Sequence, residues 1–190
     1  TPMWNGNIGK QTWKADNQLR SYNFTYDASL RLKSANFVGV DNENYSIPNI
    51  SYDKNGNITN LQRNGLLGSN SYGLMDNLTY NYTGSGNRLN SVSDAVSGNH
   101  EVDLVPRGNN SYTYWANGSL KSDANEQISV IDYFTFLNQP KLVTLTDGRT
   151  ISTTYAGNNE LLKTAYSTSE NYEYFDDMVY KNGVLFSIAD

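Results

Sequence analysis

Six times along the chain, an aromatic residue closes a short run of alternating apolar and polar residues and is followed at once by turn formers, a spacing that fits β-hairpins and little else. Phe24-Thr25-Tyr26 leads, six residues beyond its last aromatic, to Leu32, and Ile50-Ser51-Tyr52 leads to Ile58. Tyr80-Asn81-Tyr82 reaches Leu89 with one residue extra, Tyr112-Thr113-Tyr114 reaches Leu120, Phe134-Thr135-Phe136 reaches Leu142, and Thr153-Thr154-Tyr155 reaches Leu161. The anchors Tyr26, Tyr52, Tyr82, Tyr114, Phe136 and Tyr155 stand 26, 30, 32, 22 and 19 residues apart, an irregular repeat. Period-two alternation in Tyr, Phe, Thr, Val and Ile describes strands with one buried face.

The residues after each anchor supply the turns. Asp53-Lys54-Asn55-Gly56-Asn57, Trp115-Ala116-Asn117-Gly118 and Ala156-Gly157-Asn158-Asn159 are rich in Asn and Gly, which accept the positive φ that hairpin turns require. Thr146-Asp147-Gly148-Arg149 is expected to join 141–145 to 150–155, and Lys181-Asn182-Gly183 to join 178–180 to 184–188. No stretch holds apolar residues at i, i+3, i+4 and i+7 for three turns, so no helix is expected. The fold class read from the sequence is all-β: a twisted antiparallel sheet or ribbon of consecutive β-hairpins, with the anchor aromatics on one face, forming a single module over 1–190. Strand signals at Asn87–Asp94 and Ser111–Tyr114 flank a loop at about 97–110 and are expected to pair across it.

Composition narrows the chemistry. The chain has 190 residues, enough to bury a sizeable core, with 27 Asn, 15 Tyr, 15 Gly, one His and no Cys. Thiol catalysis, disulfides and Cys-based zinc sites are excluded. A net charge of −5 argues against a nucleic-acid partner, which needs a basic face. Apolar runs such as 133–137 and 183–189 are too short for a membrane span, so no membrane insertion is expected. Opening on Thr1, the chain reads as a mature or excised segment, with any export signal outside it.

Tyr26-Asp27-Ala28-Ser29-Leu30-Arg31-Leu32 and Tyr52-Asp53-Lys54-Asn55-Gly56-Asn57-Ile58 resemble the Tyr-Asp repeat that defines the Rhs/YD-repeat family, long secreted or surface proteins of bacteria that include polymorphic toxins, and teneurins in animals. Similar phrases follow at 76–82, 87–94, 122–125 and 179–185, so the resemblance covers about residues 13 to 188, and the phrasing resembles the Bacteroidota branch in particular. It implies a strongly twisted antiparallel ribbon spiralling into a hollow shell, an extracellular or cell-surface bacterial location, and a non-enzymatic role as toxin casing or interaction surface. The implied partners are other segments of the parent shell, or another copy, through exposed strand edges. Asp after the anchor is replaced at Thr83, Trp115, Leu137 and Ala156, and no Pro follows an Asp, so neither the family's self-cleavage motif nor a toxin domain is carried over.

Asp27 and Asp53 read as turn caps, and the Asp53–Asn57 loop lacks the terminal bidentate Glu of a calcium loop. His100 lies in a polar loop without a nucleophile motif and reads as a surface residue. Asp176-Asp177, near Glu170 and Glu173, reads as a solvated hairpin end; a hydrolase is the most distant reading. Trp4, Trp13 and Trp115 are the candidates for stacking on sugar rings, which makes a carbohydrate-binding adhesin module the alternative function. No catalytic residue, metal ligand or cofactor is assigned. Leu104-Val105-Pro106-Arg107-Gly108 matches the thrombin recognition sequence, cut between Arg107 and Gly108, and reads as an engineered insertion in a flexible loop.

Overall fold

The computed structural model describes residues 3–84, 86–96 and 111–188, all of them in strands, turns or irregular chain. Among these there are sixteen strands, every pairing antiparallel and between strands consecutive in sequence. The chain divides into two compact units, Thr1–Pro106 and Arg107–Asp190.

In the first unit, β1 (Lys10–Ala15), β2 (Gln18–Tyr26) and β3 (Leu32–Val38) form one sheet. The strands β4 (Asn49–Tyr52), β5 (Ile58–Gly68), β6 (Ser71–Tyr82) and β7 (Leu89–Asp94) form another. A single antiparallel bridge, Ala35 to Ile47, joins β3 to the segment before β4. Cross-strand partners fix the faces: Tyr22 opposes Phe37 and Phe24 opposes Ala35, while Ile50 and Leu78 both oppose Leu61. Those inward rows hold the buried apolar residues Ala35, Phe37, Ile50, Leu78 and Val92, joined by Met75. Trp13, Tyr22, Phe37, Tyr45 and Tyr72 continue the core as a chain of ring contacts 5.2–6.1 Å apart. Asp76, 1% exposed, is paired with Arg63 on the opposing strand.

The second unit is one nine-stranded sheet in sequence order. It comprises β8 (Tyr112–Tyr114), β9 (Leu120–Asp123), β10 (Ile128–Tyr133), β11 (Pro140–Leu145), β12 (Thr150–Tyr155), β13 (Leu161–Tyr166), β14 (Asn171–Phe175), β15 (Met178–Lys181) and β16 (Val184–Ile188). The hairpins expected around Thr146–Arg149 and Asn182-Gly183 are present. Ile131 is its one buried apolar side chain among the described residues, in the row Ile131, Val143, Ile151, Tyr166.

β7 ends the four-stranded sheet of the first unit and β8 begins the nine-stranded sheet of the second. One expectation needs correction. Phe136 is not an anchor: it sits in the β10–β11 turn, 99% exposed, and Tyr133, opposite Pro140, takes the anchor position. Loop residues 97–110, with His100 and the Arg107-Gly108 bond, lie outside the described residues.

Met75 fills the middle of the first unit, packed so closely against Gly65 that a Cβ there would meet its Cε. Met75→Ala should cost about 2–4 kcal/mol and Met75→Leu under about 1.5 kcal/mol, read by urea unfolding of each variant.

Candidate functional site

The anchor tyrosines share one construction. At Tyr26, Tyr52, Tyr114 and Tyr155 the strand ends in a turn whose first residue donates its N–H to the carbonyl four residues on: Asp27 to Arg31, Asp53 to Asn57, Trp115 to Ser119, Ala156 to Glu160. The fourth residue of each turn returns an N–H to the first and takes positive φ, at Leu30, Gly56, Gly118 and Asn159. This is a type I turn closed by a bulge, and a register shift beside the anchor follows in each hairpin. At Tyr82 and Tyr133 the loop is one residue longer, Thr83 to Arg88 and Phe134 to Gln139, with the same shift.

Aspartate after the anchor caps the turn from inside. Asp53 Oδ1 accepts the N–H groups of Asn55 and Asn57 at 2.8 and 2.9 Å, and its Oδ2 accepts the Asn57 amide at 2.8 Å. Asp27 does the same for Ser29 and Arg31, and takes the Arg31 guanidinium on Oδ2 at 2.7 Å. Where the sequence lacks this aspartate, an Asx side chain two residues later accepts the same N–H: Asn117 from Ser119, Asn158 from Glu160, and Asp147 from Arg149 in the β11–β12 turn. The loss of Asp is plain in the sequence; the substitute is an Asn or Asp two residues before the residue that closes the turn, a signal the Tyr-Asp spacing does not contain.

The tyrosine hydroxyls do what the sequence did not disclose. Tyr52 Oη donates to the Leu32 carbonyl at 2.7 Å, Tyr82 to Ile58 at 2.9 Å and Tyr133 to Leu120 at 2.9 Å, while Tyr26 donates to Ile8 at 2.9 Å. Leu32, Ile58 and Leu120 are the residues paired with the anchors of the preceding hairpins, Tyr26, Tyr52 and Tyr114. Each latch therefore ties one hairpin to the bulge of the one before. Two of them act where the backbone ladder is thinnest, since β3 meets the next segment through one bridge and β9 pairs with β10 at one position. Side chains at the turn's last position reach forward in return. Arg31 lies over the Tyr52 ring at 4.4 Å and donates to the Asp53 carbonyl, Asn57 donates to Asn87, and Ser119 donates to Asn138. At Tyr155 the pattern changes, because Thr153 Oγ1 occupies the Pro140 carbonyl and Tyr155 meets Phe134 edge-on.

The tryptophans are placed differently from one another. Trp4 is 96% exposed in a turn before β1. Trp13 is stacked on Tyr22 at 5.7 Å, so one of its faces is already used. Trp115 donates its indole N–H to the Ile131 carbonyl at 2.8 Å and lies under Lys121. It also borders an open recess of about 460 Å³ with Asn117, Asp132, Tyr133, Phe134 and Asn138. That recess combines aromatic walls with a carboxylate and two amides. In the first unit, a second recess of about 420 Å³ is lined chiefly by Tyr22, Tyr45, Ile47, Leu66 and Met75, with Arg63 at its side. Among the described residues no three of His, Asp and Glu converge. Asp176 and Asp177 form the exposed β14–β15 turn, with Asp176 at φ 48°. No family model matches the chain, and no curated protein matches it significantly.

Removing one latch hydroxyl leaves the ring packed but a carbonyl without its donor. Tyr52→Phe and Tyr133→Phe should each lower unfolding stability by about 1–2 kcal/mol, while Tyr→Phe at half-exposed Tyr166 changes it by under about 0.5 kcal/mol, all read by urea denaturation.

The turn carboxylates also set the acid response. Hydrogen bonds hold three of them below the ordinary carboxylate value: the Asn57 amide on Asp53, the Arg31 N–H and guanidinium on Asp27, and those of Arg149 on Asp147. Their contribution is fully present above about pH 4 and lost as pH falls through the lower folded values. Burial raises Tyr52 and Tyr133 above the ordinary phenol value, so their contribution is present below about pH 10 and lost as pH rises beyond it. Thermal midpoints should therefore show a plateau bounded by both limbs, and Asp27→Asn/Asp53→Asn should flatten the acid limb while leaving the alkaline one in place.

Proposed function

We propose that the chain is a non-enzymatic structural module: a shell or scaffold segment of the YD-repeat kind, from a secreted or cell-surface bacterial protein, serving as toxin casing or as an interaction surface. The observation that carries this reading is the series of latches. Three hairpins, those of Tyr52, Tyr82 and Tyr133, are fastened to the one before by a tyrosine hydroxyl on a backbone carbonyl, and the forward contacts from Arg31, Asn57 and Ser119 bind successive turns to one another. That is a design for adding hairpins in series, in which the partners of each segment are its neighbours in the same shell. The turn carboxylates are committed to backbone N–H groups, which supports a structural role for the residues with the strongest sequence signature.

The recess beside Trp115 supports a second reading, a carbohydrate-binding adhesin module. Its aromatic walls would stack on a pyranose face while Asp132, Asn117 and Asn138 bond hydroxyls.

A ligand that binds only the folded state raises the melting temperature by mass action, which separates the two readings. For a casing segment, a panel of mono- and oligosaccharides at millimolar concentration should leave the midpoint unchanged. A saturable rise that disappears in Trp115→Ala would establish the adhesin reading instead. Turnover of ester, glycoside or peptide substrates, abolished by a point change in this chain, would overturn both.

A further inference from the structure

Tyrosine meets tyrosine edge-on at Tyr166 and Tyr172, with ring centroids 6.0 Å apart, and more closely at Tyr45 and Tyr72, at 5.3 Å. The closer pair also interacts through its hydroxyls: hydrogen bonding with Tyr45 raises the Tyr72 phenol above its ordinary value. The latch tyrosines Tyr26, Tyr52, Tyr82 and Tyr133 direct their hydroxyls to backbone carbonyls instead. When a phenol loses an electron and its hydroxyl proton, the unpaired electron is shared with the ring carbons beside the oxygen, Cε1 and Cε2. Two hydroxyls in reach of one another across touching rings bring those carbons to facing edges.

The surroundings hold the pair in place without sealing it. Tyr45 lies in the irregular segment 39–48, and the backbone on both sides of it is fixed. Glu43 is paired with Arg20 at 2.7 Å. Ser46 accepts the Phe37 N–H on its Oγ and the Asn64 N–H on its carbonyl, and the Tyr45 carbonyl accepts the Tyr22 hydroxyl at 3.0 Å. Tyr72 stands opposite Leu66 in the β5–β6 ladder. Tyr45 is nevertheless 39% exposed, and the recess of about 420 Å³ that it lines with Ile47 and Leu66 leaves its ring room to turn. A held backbone with the two rings already in contact favours coupling of this pair over rings that must first find each other.

We propose that Tyr45 and Tyr72 are a site of oxidative cross-linking, joined by a Cε–Cε bond as dityrosine by a one-electron oxidant of the peroxidase class, with hydrogen peroxide as terminal acceptor. Each phenol gives up one electron and its hydroxyl proton. The two phenoxyl radicals pair to form the carbon–carbon bond, and the hydrogen on each bonded carbon moves to the oxygen beside it, restoring both phenols. Two electrons and two protons leave the protein, and the peroxide takes them up as it becomes two molecules of water. In a chain without Cys this is a covalent tie that its side chains can form. The bond fastens segment 39–48, which meets β3 through Phe37 and the Ala35–Ile47 bridge, to β6 of the other sheet. The inference goes beyond a structural role for the module and does not depend on it, since it needs only these two rings.

Brief treatment of the full chain, kept dilute, with a haem peroxidase and hydrogen peroxide tests it. After trypsin digestion, mass spectrometry should find peptides 34–54 and 64–88 joined with the loss of two hydrogen atoms, and fragmentation should place the bond on Tyr45 and Tyr72. Tyr45→Phe and Tyr72→Phe keep the ring but cannot form the phenoxyl radical. Each should lower the yield of the joined peptides at least about tenfold, with the circular dichroism unchanged, whereas Tyr166→Phe should leave that yield as it was. Joined peptides that persist in both variants would overturn the proposal, as would bonds found only between chains. So would an oxidant that couples free tyrosine in a parallel reaction yet leaves 34–54 and 64–88 separate.

Discussion

The tyrosine hydroxyl bonded to the carbonyl of the preceding hairpin is the interaction on which the repeat depends. Antiparallel hairpins fasten their own two strands through the ladder, but they need something further to fasten one hairpin to the next when the intervening pairing is as short as Ala35 to Ile47 or Ile128 to Asp123. A buried aromatic ring supplies apolar area, yet area alone does not set register. The hydroxyl does, because it is directional and its acceptor is a single carbonyl beside a bulge. Phenylalanine at these positions would keep the area and lose the alignment, which accounts for tyrosine at positions 52, 82 and 133.

The bulged turn is the other half of that arrangement. Positive φ at the fourth turn residue is met by Gly56 and Gly118 without steric cost, and elsewhere by Leu30, Asn159 and Ser169 at some cost in backbone strain. Leu30 is the most demanding of these, and its turn has the fullest set of compensating bonds: Asp27 accepts two N–H groups and the Arg31 guanidinium, and Arg31 goes on to cover Tyr52 and bond Asp53. Strain at one residue is offset by a cap that also joins two hairpins.

Much of this was legible in the sequence because it is local. Alternation identifies strands, Asn-Gly and Asp-Gly identify turns, and the Tyr-Asp pairs identify the capped hairpins around Asp27 and Asp53. The failures are equally physical. Phe136 matched the aromatic-to-aliphatic spacing, but Asn138 at φ 51° lengthens the loop and Pro140 opens the next strand, shifting the pairing to Tyr133. A fixed spacing cannot detect an added loop residue, whereas the start of strand signalled by Gln139-Pro140 could have. The latch itself joins residues from 13 to 24 positions apart, and no local pattern distinguishes a tyrosine whose hydroxyl finds a carbonyl from one whose hydroxyl meets water. Nor could the sequence show that Trp13 and Trp115 are partly engaged, by Tyr22 in one case and by Lys121 and Ile131 in the other, while Trp4 stands exposed.

These constraints explain how so irregular a repeat can remain one architecture. With Tyr133 in place of Phe136, the anchors stand 26, 30, 32, 19 and 22 residues apart, a spread that would destroy a solenoid whose repeats must superpose along their whole length. Here each latch connects only two points, the anchor hydroxyl and the first residue of the preceding return strand. Everything between them is free to vary: β5 and β6 run to eleven and twelve residues while β8 has three. Strand length can then be adjusted hairpin by hairpin without disturbing the joint, and apolar residues can be redistributed between faces, as they are at β16, without loss of the frame. A chain built this way selects strongly for the joint and weakly for what lies between joints. Its turns therefore keep a recognisable wording, while the strands are the place to look for surfaces particular to this protein.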